Sequence, residues 1–280
     1  MKPVFRYTLI ILISAFLFLL YALWADKALT SRDFEITSSK ISDSFDGFKI
    51  THISDLHNTL FGKDNERLIK KITDEAPDII VVTGDIIDSR RTDVSIAVDF
   101  LERAVKIAPV YYVTGNHEYR VGCEELYTAA KNLGVIMPEG KALTLKHGDG
   151  EITLCGIADP TFGTDGLVSE EGAIVSRALE KLSANDGFTI LLSHRPEFFD
   201  LYAEYGFNLV FSGHAHGGQF RFPLVGGFIA PGQGLFPEYD SGLYRSGDTS
   251  MIVSRGLGNS IIPLRLFNRP EIITVTLNSD

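Results

Sequence analysis

Apolar and polar positions follow three distinct patterns along the chain. Residues 8–25 carry no charge and as a helix would extend ~27 Å, close to the hydrocarbon thickness of a bilayer. Beyond residue 47, short runs rich in β-branched side chains predict strands, and stretches with apolar residues every three or four positions predict amphipathic helices. These patterns predict an apolar amino-terminal helix followed by an α/β body.

The predicted strands are short, and helices separate the first three of the body. Strands are predicted at residues 34–37, 48–54, 79–83, 110–114, 142–146, 151–157, 188–193, 207–211, 251–254 and 272–277. Helices are predicted at residues 64–75, 93–106, 124–133 and 168–184, and after Pro196. Helices between strands indicate a largely parallel sheet, and a hairpin around residues 147–150 suggests that a second sheet begins there. The Gly- and Pro-rich segment 217–247 is predicted to be a long loop.

These patterns divide the chain into three parts. Residues 1–25 are predicted to be an N-terminal membrane anchor, residues 26–47 a connection with an edge strand, and residues 48–280 one catalytic domain. A secretory signal peptide is the alternative for the first part, but its apolar region usually has ~7–15 residues. No small-x-small cleavage site follows Trp24. We therefore expect an uncleaved anchor.

The charges beside the apolar segment give a slight indication of topology. Lys2 and Arg6 precede it, and Lys27 and Arg32 follow it, so the positive-inside rule hardly separates the two orientations. With the amino terminus inside, the domain would be extracytoplasmic. We expect a single-pass protein of the cell membrane.

Composition excludes some classes of protein. The 280 residues are 45% hydrophobic, which suffices for a well-packed core, and the net charge of −10 argues against nucleic acid as a partner. Cys123 and Cys155 indicate neither a disulfide framework nor a thiolate metal site, and each is expected to be a buried apolar residue. An anionic substrate would need a local positive centre, which bound metal could supply.

Seven oxygen or imidazole donors lie just past predicted strands, where open α/β sheets keep their ligand sites. They are Asp55, His57, Asp85, Asn116, His194, His214 and His216. A set of oxygen and nitrogen donors without sulfur suits Mn, Fe, Zn or Mg, and seven exceed what one catalytic ion needs. Turn and capping residues at strand ends are the structural alternative. Two divalent ions sharing a carboxylate could clamp a phosphoryl group and make hydroxide available near neutral pH.

The same residues resemble the motif series of the calcineurin-like metallophosphoesterase superfamily. That series reads Asp-x-His, Gly-Asp-x-x-Asp, Gly-Asn-His-Glu, a lone His and Gly-His-x-His, and all five occur in order between Asp55 and His216. The resemblance extends from about Phe34 to Leu277. It implies a four-layer α/β/β/α sandwich of two mixed sheets. Residues 254–258 and 269–271 also resemble the membrane-anchored bacterial branch of this superfamily.

The resemblance also implies a role for each motif residue. The first metal would be held by Asp55, His57 and His216, the second by Asn116, His194 and His214, with Asp85 bridging both. His117 would protonate the leaving oxygen and Asp88 would orient it, although Asp88 could equally cap a helix. Glu118 is expected to cap the metal loop without a catalytic role.

Four further residues have weaker indications. His52 and His147 are expected to be structural or solvated, because one faces away from the motif and the other lies in a hairpin turn. Arg195 and Arg255 could contact substrate phosphate, and surface salt bridges are the alternative for both.

The expected activity is hydrolysis of a phosphodiester or pyrophosphate bond by metal-bound hydroxide. Some members of the resembled branch act on UDP-2,3-diacylglucosamine, and an anchor would suit a lipid or lipid-linked nucleotide. The alternatives are a phosphomonoesterase, a soluble-nucleotide phosphodiesterase, a nuclease and a non-catalytic scaffold. The sequence shows no basic stripe of the kind expected in a nuclease. A scaffold would be expected to have lost metal ligands, and all seven are present.

Overall fold

The computed structural model describes residues 3–122, 124–164, 170–182, 187–259 and 263–280. Helix α1 is Pro3–Ala25, and its apolar part is long enough to cross a membrane by length and composition. Most of α1 is exposed, whereas Ala22 and Ala25 in its last turn are buried against the body. The predicted apolar helix is therefore confirmed, and only its carboxyl-terminal end packs on the rest of the chain.

The strands of the body form two mixed sheets. The first has the order β1 (Thr30–Ser38), β15 (Glu271–Ser279), β2 (Phe48–Ile53), β3 (Ile79–Thr83) and β4 (Val110–Val113). The second has the order β13 (Gly242–Ser246), β14 (Thr249–Val253), β8 (Leu209–Ser212), β7 (Thr189–Leu192), β6 (Gly150–Gly156) and β5 (Lys141–His147). Strands β2, β3 and β4 run parallel, as do β6, β7, β8 and β14.

Helices cover the outer face of each sheet. Along the chain after α1 they are α2 (Glu66–Glu75), α3 (Val94–Ala104), α4 (Asn116–Val121), α5 (Glu124–Asn132), α6 (Thr161–Thr164), α7 (Glu171–Glu180) and α8 (Phe199–Glu204). Short 3-10 turns occur at Asp43–Phe45, Lys63–Asn65, Pro196–Phe198 and His216–Gly218. Pro196 opens the turn that leads into α8, because its fixed φ suits a first helical position.

Alternation along the strands creates three apolar layers. In β3, Ile80 and Val82 pack against α2 and α3, whereas Ile79 and Val81 face the second sheet. In β7, Ile190 and Leu192 face the first sheet, while Leu191 packs toward α7 and α8. Successive side chains of a strand point to opposite faces of its sheet. Because both sets of side chains are apolar here, each sheet is covered by helices on one face and by the other sheet on the other. The predicted four-layer α/β/β/α sandwich is confirmed.

Several local elements differ from the sequence prediction. The segment predicted as a long loop contains two small hairpins, β9 (Arg221–Phe222) with β10 (Gly226–Gly227) and β11 (Ile229–Ala230) with β12 (Gly234–Leu235). It also contains all of β13, a strand of the second sheet. Two-residue strands carry no readable periodicity, which explains why they were missed.

Other predictions fall partly outside the described residues. Helix α7 covers the middle of the predicted helix 168–184, whose ends at residues 168–169 and 183–184 lie outside them, as does Cys123. Cys155 is buried, as expected. The edge position of β1 agrees with the predicted edge strand, while the division of the chain into three parts stays a prediction.

Candidate metal centre

Five parallel strands deliver the predicted ligands to one end of the sandwich. Strands β2, β3 and β4 of the first sheet end just before Asp55, Asp85 and Asn116. In the second sheet β7 ends before His194, and β8 before His214 and His216. The carboxyl ends of the two sheets meet here, and all seven predicted ligands are buried. The structure therefore brings together residues separated by up to 161 positions of the chain.

The backbone that carries these ligands is strained. Asp55, His57, Asp85, His214 and His216 all adopt left-handed φ values between 44° and 63°. Non-glycine residues rarely occupy this region, and clusters of them occur at functional sites. The loops after β2 and β3 hold each other in this conformation, since the amides of Asp55 and His57 donate to the carbonyls of Gly84 and Asp85. The strain turns side chains of adjacent loops toward a shared point.

Glycines make the close approach of these loops possible. A Cβ atom at Gly115 would lie 2.7 Å from the amide nitrogen of Asp85, and one at Gly213 would lie 2.9 Å from Cβ of Ser54. Each would also overlap a carboxylate, that of Asp85 or Asp55. The Gly-Asn-His and Gly-His motifs thus need glycine for space.

Asp55, His57 and His216 form the first group of donors. Nε2 of His216 lies 3.4 Å from Oδ1 of Asp55, and Nε2 of His57 lies 3.8 Å from the same oxygen. The two Nε2 atoms are 3.2 Å apart. One donor atom from each residue falls within 4.8 Å of the others, which is compact enough to surround an ion.

Asp85, His194 and His214 form the second group, with the same compactness. Oδ2 of Asp85 lies 3.3 Å from Nε2 of His194 and 3.7 Å from Nε2 of His57. One carboxylate oxygen therefore stands between the two groups. Nδ1 of His194 is 2.6 Å from the carbonyl oxygen of Thr83, and by donating there it directs Nε2 toward Asp85.

Asn116 occupies the first position of α4, and its side chain is buried. Among the described residues its Oδ1 atom has no hydrogen-bond partner. Buried polar atoms are nearly always paired. A buried amide oxygen without a partner in this ligand loop is consistent with a cation as its missing partner.

Protonation states in the site also fit cations. Burial lowers the pKa of His57 to about 3 and holds those of His214 and His216 well below the usual value, so these imidazoles are neutral, as metal ligands must be. For His194, burial lowers the pKa, but the charges of Asp85 and Asp55 outweigh it and raise the pKa to about 10. A divalent ion between these carboxylates would take the place of that proton.

Glu118 clamps two of the ligand loops. Its buried carboxylate accepts hydrogen bonds from the amides of Asp85 (2.8 Å), Ile86 (2.8 Å) and Gly115 (2.7 Å). Burial and the charge of Asp85 raise its pKa to about 7, while the bonds from Gly115 and Asp85 oppose that rise. The expected capping role matches this geometry, and the clamp joins the loops after β3 and β4.

We expect Glu118→Gln to lower the free energy of unfolding by about 3 kcal/mol, because the new NH₂ group would face backbone donors and leave two of them unpaired. Glu139 is the matched control, since its partly buried carboxylate accepts from one residue, Thr114, outside the metal site. Glu139→Gln should cost about 1 kcal/mol. Urea unfolding with chelator present measures both, and equal losses would contradict the clamp.

His117 lies beside both groups of donors. Its ring packs edge-on against His57 with centroids 4.5 Å apart, and its amide donates to Oδ1 of Asp85 at 2.8 Å. Nδ1 of His117 accepts from the amide of Ser89 at 3.0 Å and lies 3.7 Å from Oδ1 of Asp88. An imidazole that accepts at Nδ1 carries its hydrogen on Nε2 when neutral. Ser89, which the sequence did not indicate, therefore makes the orienting contact, and Asp88 adds charge.

Three arginines near the site act inside the protein. Arg195 is buried in ion pairs with Asp159 (2.6 Å) and other acids, and Arg255 lies 3.6 Å from Glu271. The ion pairs of Arg195 are therefore not surface salt bridges, and a phosphate contact by either arginine stays a prediction. Arg265, which the sequence analysis missed, is 1% exposed. Its guanidinium donates to the carbonyl of Arg255 at 2.8 Å. It thereby fixes the loop after β14, whose Leu257 and Gly258 amides bind the carbonyl of Asp55.

The two other histidines are structural or exposed, as expected. Nε2 of buried His52 lies 2.7 Å from the hydroxyl of Thr83. His147 is exposed at the end of β5, and its ring contacts Phe45 and Phe48.

A groove of about 490 Å³ leads from the metal site to the end of α1. Its lining residues include His57 of the metal site, its neighbours Asn58 and Thr59, Arg91, and Lys27. Lys27 directly follows the last turn of α1 and donates to the carbonyl of Leu60 at 3.2 Å. The groove is thus lined by two cations and one carboxylate, that of Asp93, and Arg91 also lies 3.4 Å from Asp88.

Comparisons with known proteins agree with this site. Residues 48–218 match the calcineurin-like phosphoesterase family. The metallophosphoesterase YkuE of Bacillus subtilis is 34% identical over 87% of this chain and 84% of its own length. A transmembrane protein with metallophosphoesterase domain from Danio rerio is 29% identical over 88% of this chain and 56% of its own length.

The fold has a counterpart among solved structures as well. TT1561 of Thermus thermophilus superimposes with a TM-score of 0.50 at 14% identity, covering 75% of this chain and 90% of that one. At this identity the likeness concerns the fold alone. The matched residues contain Asp55, His57, Asp85, Asn116, His194, His214 and His216. The family match and the identity to YkuE show that the chain belongs to the calcineurin-like metallophosphoesterases.

Proposed function

We propose that this phosphohydrolase is anchored in the cell membrane by α1 and cleaves a phosphodiester or pyrophosphate bond in a lipid or lipid-linked nucleotide, such as UDP-2,3-diacylglucosamine. The observation that carries the proposal is the groove between His57 and Lys27. It begins at a metal ligand and ends where α1 leaves the body. A substrate whose phosphate lies at the site could then keep its acyl chains beside the apolar helix.

We propose two divalent ions, of Mn, Zn, Fe or Mg, as cofactors. Asp55, His57 and His216 would hold one ion, and Asn116, His194 and His214 the other, with Asp85 between them. Bound there, the ions would supply Lewis-acid stabilisation of phosphoryl oxygens and lower the pKa of a coordinated water. The compact donor groups and the neutral imidazoles support this assignment.

The chain's own residues would orient the substrate and move the proton. Arg91 and Lys27 offer positive charge along the groove to the parts of the substrate outside the metal site. As the acid, His117 would act in its imidazolium form, so that giving the Nε2 hydrogen to the leaving oxygen returns a neutral ring. Asp88, 3.7 Å from Nδ1, would stabilise the protonated ring through charge.

For topology we propose an amino terminus inside the cell and an extracytoplasmic domain. The pair of cations before α1, Lys2 and Arg6, motivates this orientation, and it is offset by an equal pair, Lys27 and Arg32, after the helix. Tyr21 and Trp24 in the last turns of α1 have the side chains favoured at a membrane interface. The domain would then begin at the outer surface of the bilayer.

Metal analysis combined with a substrate panel on the full chain in vesicles tests the proposal. We expect two divalent ions per chain and loss of activity with a chelator. We also expect kcat/KM to be at least about tenfold higher for the acylated nucleotide sugar than for its unacylated form, because the bilayer holds both the enzyme and the acylated substrate. Preference for p-nitrophenyl phosphate over bis-p-nitrophenyl phosphate would favour a phosphomonoesterase. Equal kcat/KM for the acylated and unacylated nucleotide sugars would contradict a lipid-linked substrate.

A further inference from the structure

Large apolar side chains are exposed in one region next to the metal site. Outside α1, most of those that the described part of the chain leaves exposed lie on the two small hairpins and at one nearby position. We call these residues the hairpin surface: Phe222, Leu224, Val225, Ile229, Leu235, Phe236 and Phe267. Soluble surfaces rarely cluster such residues, and clusters mark binding or membrane-contact sites.

Ring contacts join the two hairpins into one surface. Phe228 packs edge-on against Phe222 of β9 at 5.9 Å and against Phe236 after β12 at 5.6 Å. Its amide also donates to the carbonyl of Phe220 at 2.8 Å. Leu224, at the tip between β9 and β10, is fully exposed and has a left-handed φ of 69°. A strained backbone that exposes an apolar side chain is unfavourable unless something covers it.

The hairpin surface continues into the end of α1. Phe222, Leu224 and Phe267 line one depression of about 440 Å³. The ring of Phe267 lies 5.6 Å from that of Tyr21. Nearby, the guanidinium of Arg269 lies 5.0 Å from the ring of Trp24. Aromatic and cationic side chains of this kind gather at the headgroup level of membranes.

The hairpin surface is also fixed to the metal site. Asn268, next to Phe267, donates its side-chain amide to the carbonyls of His216 (2.7 Å) and Gln219 (3.1 Å). The amide of Phe228 donates to the carbonyl of Gly218 at 3.0 Å. The hairpins therefore extend directly from the turn that carries His216. A movement of the hairpins would also displace that turn.

We infer that the hairpin surface is a second membrane contact, which enters the headgroup region of the bilayer that holds α1. This inference rests on the anchoring proposed above. Continuity with Tyr21 and Trp24 favours a bilayer over a second copy of the chain, and Lys27 and Arg269 suit anionic headgroups. Two adjoining contacts would fix the orientation of the domain and hold the groove at the lipid surface.

Depth-dependent quenching of a single tryptophan tests the inference. The chain has one tryptophan, so Trp24→Phe in the full-length protein provides the background. Leu224→Trp and Phe236→Trp place the probe on the hairpin surface. Lys146→Trp is the matched control. Lys146 is exposed on β5, which forms one edge of the second sheet, while β13 forms the other. Vesicles of phosphatidylcholine and phosphatidylglycerol carry bromine near the headgroup end of the acyl chains.

We expect quenching at positions 224 and 236, at a depth on the order of 5–10 Å, and none at 146. Protein that floats with vesicles but shows no quenching at 224 and 236 would overturn the second contact and leave the anchor intact. Protein that does not float would overturn both. If the tryptophan emission changed with protein concentration and not with brominated lipid, the hairpin surface would be assigned to contact with a second copy of the chain. Turnover of soluble bis-p-nitrophenyl phosphate by each variant reports separately on the hydrolase.

Discussion

Asp85→Asn is expected to reduce turnover of bis-p-nitrophenyl phosphate at least about a thousandfold and to lower the bound metal from two ions per chain. One oxygen of Asp85 stands between the two groups of donors, 3.3 Å from His194 and 3.7 Å from His57. Losing the charge shared by both ions removes several kcal/mol of transition-state stabilisation, and each ~1.4 kcal/mol is a factor of ten. Elemental analysis and initial rates measure the two effects.

The substitution should leave the local fold in place. Asparagine keeps an oxygen that can accept from the amide of His117, the bond that Oδ1 of Asp85 makes now at 2.8 Å. Asp149→Asn, in the exposed turn between β5 and β6, is the control for a change of one charge and should retain both ions and full activity. An Asp85→Asn protein with two bound ions and near-normal turnover would refute the shared-carboxylate arrangement.

His117→Ala is expected to slow hydrolysis of diesters with alkyl leaving groups by about 10²–10⁴. It should slow bis-p-nitrophenyl phosphate far less, because p-nitrophenolate leaves without needing a proton. The acid would be the imidazolium form of His117, which the carboxylate of Asp88, 3.7 Å from Nδ1, favours through its charge. Rates for the two kinds of diester, measured side by side, give the dependence on the leaving group.

Metal content separates an acid role for His117 from a ligand role. A donor atom of His117 also lies within 4.8 Å of donors of His57 and Asp85, so the ring could instead bind an ion. Under the acid role His117→Ala keeps two ions, whereas under the ligand role it loses one and slows all diesters alike. His147→Ala, at an exposed histidine, should change neither quantity.

The position of the metal centre could be predicted because it follows from strand order. Parallel strands end at the same edge, so Asp55 after β2 and Asp85 after β3 had to lie close together. The lone His194 after β7 could join them only if the two sheets packed with their carboxyl ends together, and the resemblance to a known fold supplied that arrangement. The four layers were likewise implied by the resemblance.

The contacts that orient the ligands could not be predicted from sequence. The bond from Ser89 to His117 is made by a backbone amide, and any residue at that position could supply it. Arg265 lies in a segment without periodicity, and its burial depends on carbonyls of a loop ten residues earlier. Glu118 was recognisable from its motif, but its three amide donors depend on how two loops approach each other.

The place of β15 in the first sheet has a consequence for biosynthesis. This strand comes after all the others in the chain, yet it lies between β1 and β2 and pairs with both. While the ribosome still holds residues 271–279, β1 and β2 lack their common neighbour, and their edges stay open to aggregation. Until the last strand is made, the nascent polypeptide would therefore carry β1 without its partner and β2 paired only with β3.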